Sequence, residues 1–286
     1  MHSDIRPDIK SGVRPDLHCH SNASDGSLTP VELISAAIDA GVTTLAITDH
    51  DTVSGWRKAS EQVPDSLSLI PGIEFSTVWN GIGIHIVGLN IDPDSDAMTE
   101  GTRTQEQARM ERAGKIVERL NKRGMSIDLD DILKENKQAV PGRVHIANHL
   151  VRKKYVKDLP EAFKKHLGAG KPGDVKNLWA SLETVTGWIT DSGGIAVLAH
   201  PLKYSMTFTK LNRFLDDFVD AGGTGIEVIS GAQDKDATLR LGRLCRDRNL
   251  LASCGSDFHH PGQNWAVLGK FPELPAGCRP VWEQWR

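Results

Sequence analysis

No run of apolar residues in this 286-residue chain approaches the eighteen or so that a membrane-crossing helix needs. The opening stretch MHSDIRPDIKSGVRPD lacks both the basic start and the apolar core of a secretory signal. A cytoplasmic protein with no membrane partner is the expectation. Cysteine is scarce: Cys19, Cys245, Cys254 and Cys278 show no CxxC spacing, and a chain this long needs no staples, so free thiols are expected. Charge of one sign is missing too, because 34 basic against 37 acidic residues give a net charge of only −3. A uniform polynucleotide groove would need more extended positive charge, so no stable partnership with duplex nucleic acid is expected. The length allows either one large α/β domain or a domain carrying an insertion, with a substantial core in both cases. It does not disclose an oligomeric state.

What is present begins at residues 16–26, DLHCHSNASDG. On an extended strand the side chains at i and i+2 point the same way, so His18 and His20 project together while Cys19 faces the other side. Asp25 follows in the loop. Thr29-Pro30-Val31-Glu32 then carries a helix start: an N-cap threonine, proline at the first helical position and glutamate at the third. Apolar residues recur at helical spacing up to Gly41, and VTTLAIT (42–48) is a β-branched run ending in TDHD. A βαβ unit puts the carboxyl ends of its strands on one edge, which brings Asp49 and His50 to the rim where His18, His20 and Asp25 lie.

The same pattern recurs along the chain. LSLIPGIEFSTVW and GIGIHIVGLNI flank Asn80-Gly81, a hairpin signal that places Glu74 and His85 on paired strands. A helix opened by Ser181 and Glu183 runs to Gly193-Gly194, and the strand IAVLAHP delivers His200. Helices over about 209–221 and 233–248 enclose the strand GIEVIS, and LLASCGSDFHH ends in Asp257 and His259. Polar clusters at successive strand ends are the pattern of a parallel α/β barrel with its site on one face.

Between about 100 and 180 the strand rhythm stops. A long charged helix ending at Gly124 precedes further helices over about 128–136, 143–155 and 158–167, and we read residues 100–180 as a helical insertion between barrel segments 14–99 and 181–286. Residues 137–176 hold ten basic against three acidic residues, a local excess of seven that leaves the rest of the chain at −10. Opposite signs fit a barrel that collects cations beneath a lid that collects anions.

Nine candidate ligands result: His18, His20, Asp25, His50, Glu74, His85, His200, Asp257 and His259. Imidazole and carboxylate together suit Zn²⁺, Mn²⁺ or Fe²⁺, and nine donors can hold two or three ions. The motifs DLHCHSNASDG, AITDHD, IPGIEFS, HIVGL, VLAHP and GSDFHHPG, in this order over residues 16 to about 262, resemble the PHP (polymerase and histidinol phosphatase) metallophosphoesterases. Within that family the chain is similar to the nucleotide-acting branch of 3′,5′-nucleoside bisphosphate phosphatases and 5′-to-3′ exoribonucleases.

The resemblance implies a distorted (β/α)7 TIM-like barrel with a small helical insertion, and a trinuclear, manganese-containing centre. It implies one ion on His18, His20, Glu74 and Asp257, a second sharing Glu74 with His85 and His200, and a third on Asp25, His50 and His259. The activity it implies is phosphate release from 3′,5′-bisphosphorylated nucleotides, or from the 5′ end of short RNA, by a metal-bridging hydroxide held at Glu74. Arg143, Lys171 and Tyr204 would hold substrate phosphates. No general acid is assigned. The alternatives are a histidinol phosphate type of PHP phosphatase, for which the basic insertion is superfluous, and a non-catalytic, metal-stabilised nucleic-acid-binding module.

Overall fold

Thr29 does what its spacing promised. Its side chain accepts from the Glu32 N–H while the Glu32 carboxylate takes the Thr29 N–H at 2.8 Å, which closes a capping box on helix α1 (Pro30–Asp39). The structure, a computed structural model, describes residues 13–136, 140–175, 178–204 and 206–285. Part of the opening stretch and residues 137–139 and 176–177 of the basic segment lie outside the described residues.

Strands β1 (Pro15–Cys19), β2 (Thr44–Ile47) and β3 (Ser68–Trp79) run parallel, with α1 and a short helix α2 (Ser54–Ser60) as connections. Asn80 and Gly81 both adopt positive φ, +47° and +74°, the geometry of a two-residue turn, and Trp79 pairs with Ile82 on the antiparallel strand β4 (Ile82–Leu89). Next come helices α3 (Asp96–Asn121), α4 (Leu129–Glu135), α5 (Arg143–Arg152) and α6 (Leu159–Ala162), the last running into a π-helical turn, Phe163–Leu167. Helix α7 (Leu182–Asp191), capped by Ser181, leads to β5 (Ile195–Leu198), which pairs antiparallel with β4. Helix α8 (Phe208–Asp220), β6 (Gly225–Ser230), α9 (Lys235–Asp247), β7 (Leu251–Gly255) and the two-residue β8 (Arg279–Pro280) complete the order.

The eight strands form one sheet in sequence order. It curls until its far side meets its start: Cys19 bridges Phe258, His20 N–H donates to Phe258 O at 2.9 Å, and Asp257 N–H donates to His18 O at 2.8 Å. Gly255 permits this approach, since a Cβ there would lie 2.4 Å from the Cβ of His18. The fold is therefore mixed α/β. The arrangement read from strand ends alone, all parallel, is broken at β4, and His85 comes from the middle of that antiparallel strand.

Of the four apolar clusters among the described residues, two meet on helix α3. One packs Phe75, Ile86, Leu198, Phe214 and Phe218 around the sheet, and the other packs Ile116, Leu120, Ile146, Leu150 and Leu167 among α3, α5 and the π-helical turn. Helix α3 serves both. Its Met98 lies in the first core and its Gly101 abuts Trp188 and Phe75, while Ile116 and Leu120 lie in the second.

Between the cores sits a buried polar knot. Asp51 takes Arg109 Nε at 2.6 Å, Ser76 N–H at 2.7 Å and Gln105 Nε2 at 3.0 Å.

Burial separates histidine and tryptophan side chains that look alike in the sequence. His149 does not solvate the basic segment but is fully buried, its Nδ1 2.8 Å from Glu135. Trp285 and Trp282 pack at the tail, whereas Trp265 is 62% exposed. Among the described residues no helix is long and apolar enough to cross a membrane.

Candidate metal centre

Glu74 occupies the middle of β3, fully buried, and the surrounding strands aim imidazoles at its two carboxylate oxygens. His18 Nε2 (3.3 Å), His85 Nδ1 (3.0 Å) and His200 Nε2 (3.0 Å) meet Oε1, while His20 Nε2 (3.3 Å) and His50 Nδ1 (2.9 Å) meet Oε2. His18 and His20 do project together, as the i, i+2 rule requires. Asp257 joins them from the end of β7, its Oδ1 lying 3.5 Å from His18 Nε2 and 3.3 Å from His20 Nε2. Asp25, in the loop after β1, sits 3.4 Å from His259 Nε2 and 3.8 Å from His50 Nε2. All nine candidate ligands thus converge, although their positions in the chain run from 18 to 259.

Three of their groupings are tight enough to share a cation: His18, His20 and Glu74; His50, Glu74 and His85; and His20, Asp25, His50 and His259. The fit to a metal rests on atoms that lack partners. His18 Nε2, His20 Nε2, Asp25 Oδ1 and Glu74 Oε2 are buried and make no hydrogen bond. Leaving such atoms unpaired costs about 1–3 kcal/mol each, so a ligand for them is expected. Imidazole and carboxylate without thiolate suits a divalent ion of the manganese, iron or zinc type.

Electrostatics divides the imidazoles. Burial, with His259 and His50 nearby, pushes His20 down to about 3, and burial pushes His85 down to about 4 despite Glu74. These two are neutral at pH 7 and ready to ligate. Burial also opposes charge on His259, but Asp25 and Asp257 outweigh it and raise its pKa to about 9, while His50 is raised by Glu74 and Asp25 against the same burial. A cation must displace those protons, so metal uptake releases H⁺ and affinity rises with pH until about 9. Calorimetric titration at pH 7.5 in two buffers of different ionisation enthalpy checks this. Equal heats would contradict it.

A supporting shell of buried carboxylates surrounds these side chains. Glu227, mid-strand in β6, takes the Nδ1–H of His18 at 3.0 Å and the backbone N–H of His200 at 2.5 Å. Its signal in the sequence is a lone carboxylate inside the apolar run GIEVIS. The Asp49 carbonyl accepts the Glu74 N–H at 3.2 Å, but its carboxylate bonds to no candidate ligand. It accepts Ser21 N–H (2.8 Å), Ser21 Oγ (2.6 Å) and Ser24 Oγ (2.6 Å), which fastens the loop carrying Asp25; burial raises its pKa to about 6 against those bonds.

A cleft of about 630 Å³ opens on the centre, with Glu74, His85, His200 and Asp257 on one wall and Arg109, Arg112, Arg143 and Trp179 also lining it. Arg109 and Arg112 flank the Trp179 ring at 5.4 and 5.1 Å, and Arg143 lies over Phe163 at 5.9 Å. Burial, with Arg143 and Arg109 close by, brings the Arg112 pKa down to about 9. So many crowded guanidinium groups favour an anion between them.

Of the expected phosphate contacts, Arg143 and Tyr204 line the cleft, but the Tyr204 hydroxyl is engaged with the backbone of His85, whose N–H it accepts at 2.9 Å. Lys171 is not among the lining residues; it sits exposed on a turn, its N–H bonded to Gly168 O at 3.0 Å. Lys203, which the sequence did not single out, lines the cleft and pairs with Asp257.

A family model described as PHP domain matches residues 16–92. Over 94% of its length the chain is 40% identical to a Chromobacterium violaceum protein named 3′,5′-nucleoside bisphosphate phosphatase, covering 95% of that protein. It is 41% identical over 97% of its length to 5′-3′ exoribonuclease Rnm of Escherichia coli, covering 96% of it. A solved structure described as an amidohydrolase from Chromobacterium violaceum, with bound sulfate and no metal, superposes with a TM-score of 0.87 at 39% identity, covering 96% of each chain.

Proposed function

The chain belongs to the PHP family, and from that premise we propose a metal-dependent phosphoesterase that releases phosphate from 3′,5′-bisphosphorylated nucleotides and nucleotides from the 5′ end of short RNA. The observation that carries this reading is the cleft itself: a nest of unpaired ligating atoms on one wall shares it with a cluster of guanidinium groups. Two anionic groups on one small substrate match two such regions. Histidinol phosphate carries a single phosphate and leaves the arginines without a role.

We assign two to three divalent ions, manganese foremost. The first goes to His18, His20, Glu74 and Asp257, the second to Glu74, His85 and His200, and the third to Asp25, His50 and His259. In the third group His50 also reaches Glu74 and His20 lies beside Asp25, so the subsites are contiguous. Ions held there supply Lewis acidity, which makes hydroxide available near neutral pH and offsets phosphoryl charge.

The chain's own residues set the geometry. Glu74 gathers five imidazoles, Tyr204 fixes the strand bearing His85, and Arg143 with Arg112 binds the phosphate that is not attacked. Lys171 is left as a peripheral contact for a longer substrate. The curled sheet reads as the distorted (β/α)7 barrel, with residues 14–99 and 181–286 as its parts and 100–180 as the helical insertion. Four free thiols and a nucleotide substrate suit the cytoplasm.

Manganese-reconstituted protein is expected to turn over adenosine 3′,5′-bisphosphate and a 5′-phosphorylated oligoribonucleotide in preference to histidinol phosphate or a simple amide. Preference for either of the last two would overturn the substrate reading. Arg143→Ala should cut kcat/KM for the bisphosphate about 10- to 100-fold, the value of one or two charge-assisted hydrogen bonds, and leave adenosine 3′-monophosphate nearly unaffected. Equal losses on both substrates would remove Arg143 from the second-phosphate site.

A further inference from the structure

Resting on the metal reading above, we infer that Glu227 is a positioning residue that couples two metal subsites through one buried carboxylate. It is 2% exposed on β6, and the β6–β7 register slips between Glu227 and Ile229. Such a slip re-aims a side chain. One oxygen receives Nδ1–H of His18 at 3.0 Å; the other receives the N–H of His200 at 2.5 Å. Both histidines then point Nε2 at the same atom, Glu74 Oε1, at 3.3 and 3.0 Å. The four residues close a ring: Glu227, His18, Glu74, His200.

Each contact has a separate consequence. An ionised carboxylate only accepts, so His18 must carry its proton on Nδ1, which leaves the Nε2 lone pair facing Glu74 and Asp257. His200 adopts φ +29°, a left-handed value that is strained for a residue with a Cβ. The Glu227 bond to its N–H holds the backbone there and so fixes where the imidazole projects. His18 and His200 belong to different subsites in the assignment above, and Glu227 meets both from the side opposite their shared contact, Glu74.

Glutamine cannot replace this carboxylate. Its amide has one accepting oxygen, so either His18 or His200 N–H faces an NH₂ donor. If His18 does, its tautomer must switch and its Nε2 becomes protonated; if His200 does, the strained turn loses its anchor. Glu227→Gln should therefore weaken metal binding about 10- to 100-fold, as loss of a partner outside the ligand shell commonly does, while preserving volume and fold.

Metal uptake by full-length, metal-stripped protein, followed by calorimetry with Mn²⁺ and by metal content after gel filtration, tests the inference without any substrate. The zinc-loaded wild type is expected to show a downfield imidazole N–H resonance from His18 Nδ1 that Glu227→Ala lacks, and both Glu227→Ala and Glu227→Gln are expected to show lowered metal affinity. If Glu227→Ala fails to fold, Glu227→Gln carries the test. Unchanged affinity and an unchanged resonance in a folded variant overturn the inference alone. A wild type that takes up no divalent metal overturns the metal reading and this inference with it.

Discussion

Glu74→Gln is expected to lose at least about a thousandfold in kcat/KM on adenosine 3′,5′-bisphosphate, roughly 4 kcal/mol of transition-state stabilisation. The size of the effect follows from the position. Five imidazoles approach the two oxygens of this one buried carboxylate, and burial alone would push its pKa up, yet His85, His50 and His18 hold it well below the usual carboxylate range. Glutamine has the same shape but no charge, and it turns an NH₂ toward histidine nitrogens that need an acceptor or a cation. Bound metal should fall in parallel, measured by elemental analysis of the purified variant. A variant that kept a tenth of wild-type turnover would show that Glu74 is not the hub of the chemistry.

The second large effect is on stability. Arg109→Ala leaves Asp51 buried at 3% exposure without its cation, and breaking a buried pair from one side costs about 3–5 kcal/mol. Ser76 and Gln105 still donate to Asp51, which argues for the lower end, near 3 kcal/mol. Urea unfolding at pH 7 reads it as a lowered midpoint. The sign is fixed by linkage: burial raises the Asp51 pKa, Arg109 together with the Ser76 hydrogen bonds and His50 outweighs it, and the net is a depressed folded-state value. The pair's contribution is thus present above the carboxylate's unfolded pKa and fades as pH falls through its folded one. The wild-type advantage over Arg109→Ala should shrink in strong acid. A midpoint shift worth under 1 kcal/mol at pH 7 would contradict the buried-pair reading.

Local patterns in the sequence carried much of this. The capping box at Thr29 and Glu32, the Asn80-Gly81 turn, and the i, i+2 projection of His18 and His20 each depend on neighbours within a few residues, and each recurs in the structure. Strand order then brought His50, His200, Asp257 and His259 alongside Glu74 and His85, which reach the same point from mid-strand.

What escaped was tertiary pairing. Asp51 and Arg109 lie 58 residues apart, and Glu227 and His18 are separated by 209, so neither partnership leaves a spacing to find. Tyr204 follows the HP turn and was read as a phosphate contact, but a hydroxyl's role depends on which group lies within 3 Å, and here the His85 backbone does. Lys171 was read from charge density alone, which cannot say which way a turn faces.

The curled sheet brings β7 back to β1 where Gly255 lies against His18, and Asp257 and His259 arrive directly after that contact. During synthesis, every other candidate ligand leaves the ribosome before these two. The nascent chain therefore holds an incomplete cage, and the final two donors dock only once β7 has closed on β1, a contact that spans most of the chain. Under the proposed assignment, a product truncated before residue 257 would lack a donor in two of the three subsites, so full metal loading would require the finished chain.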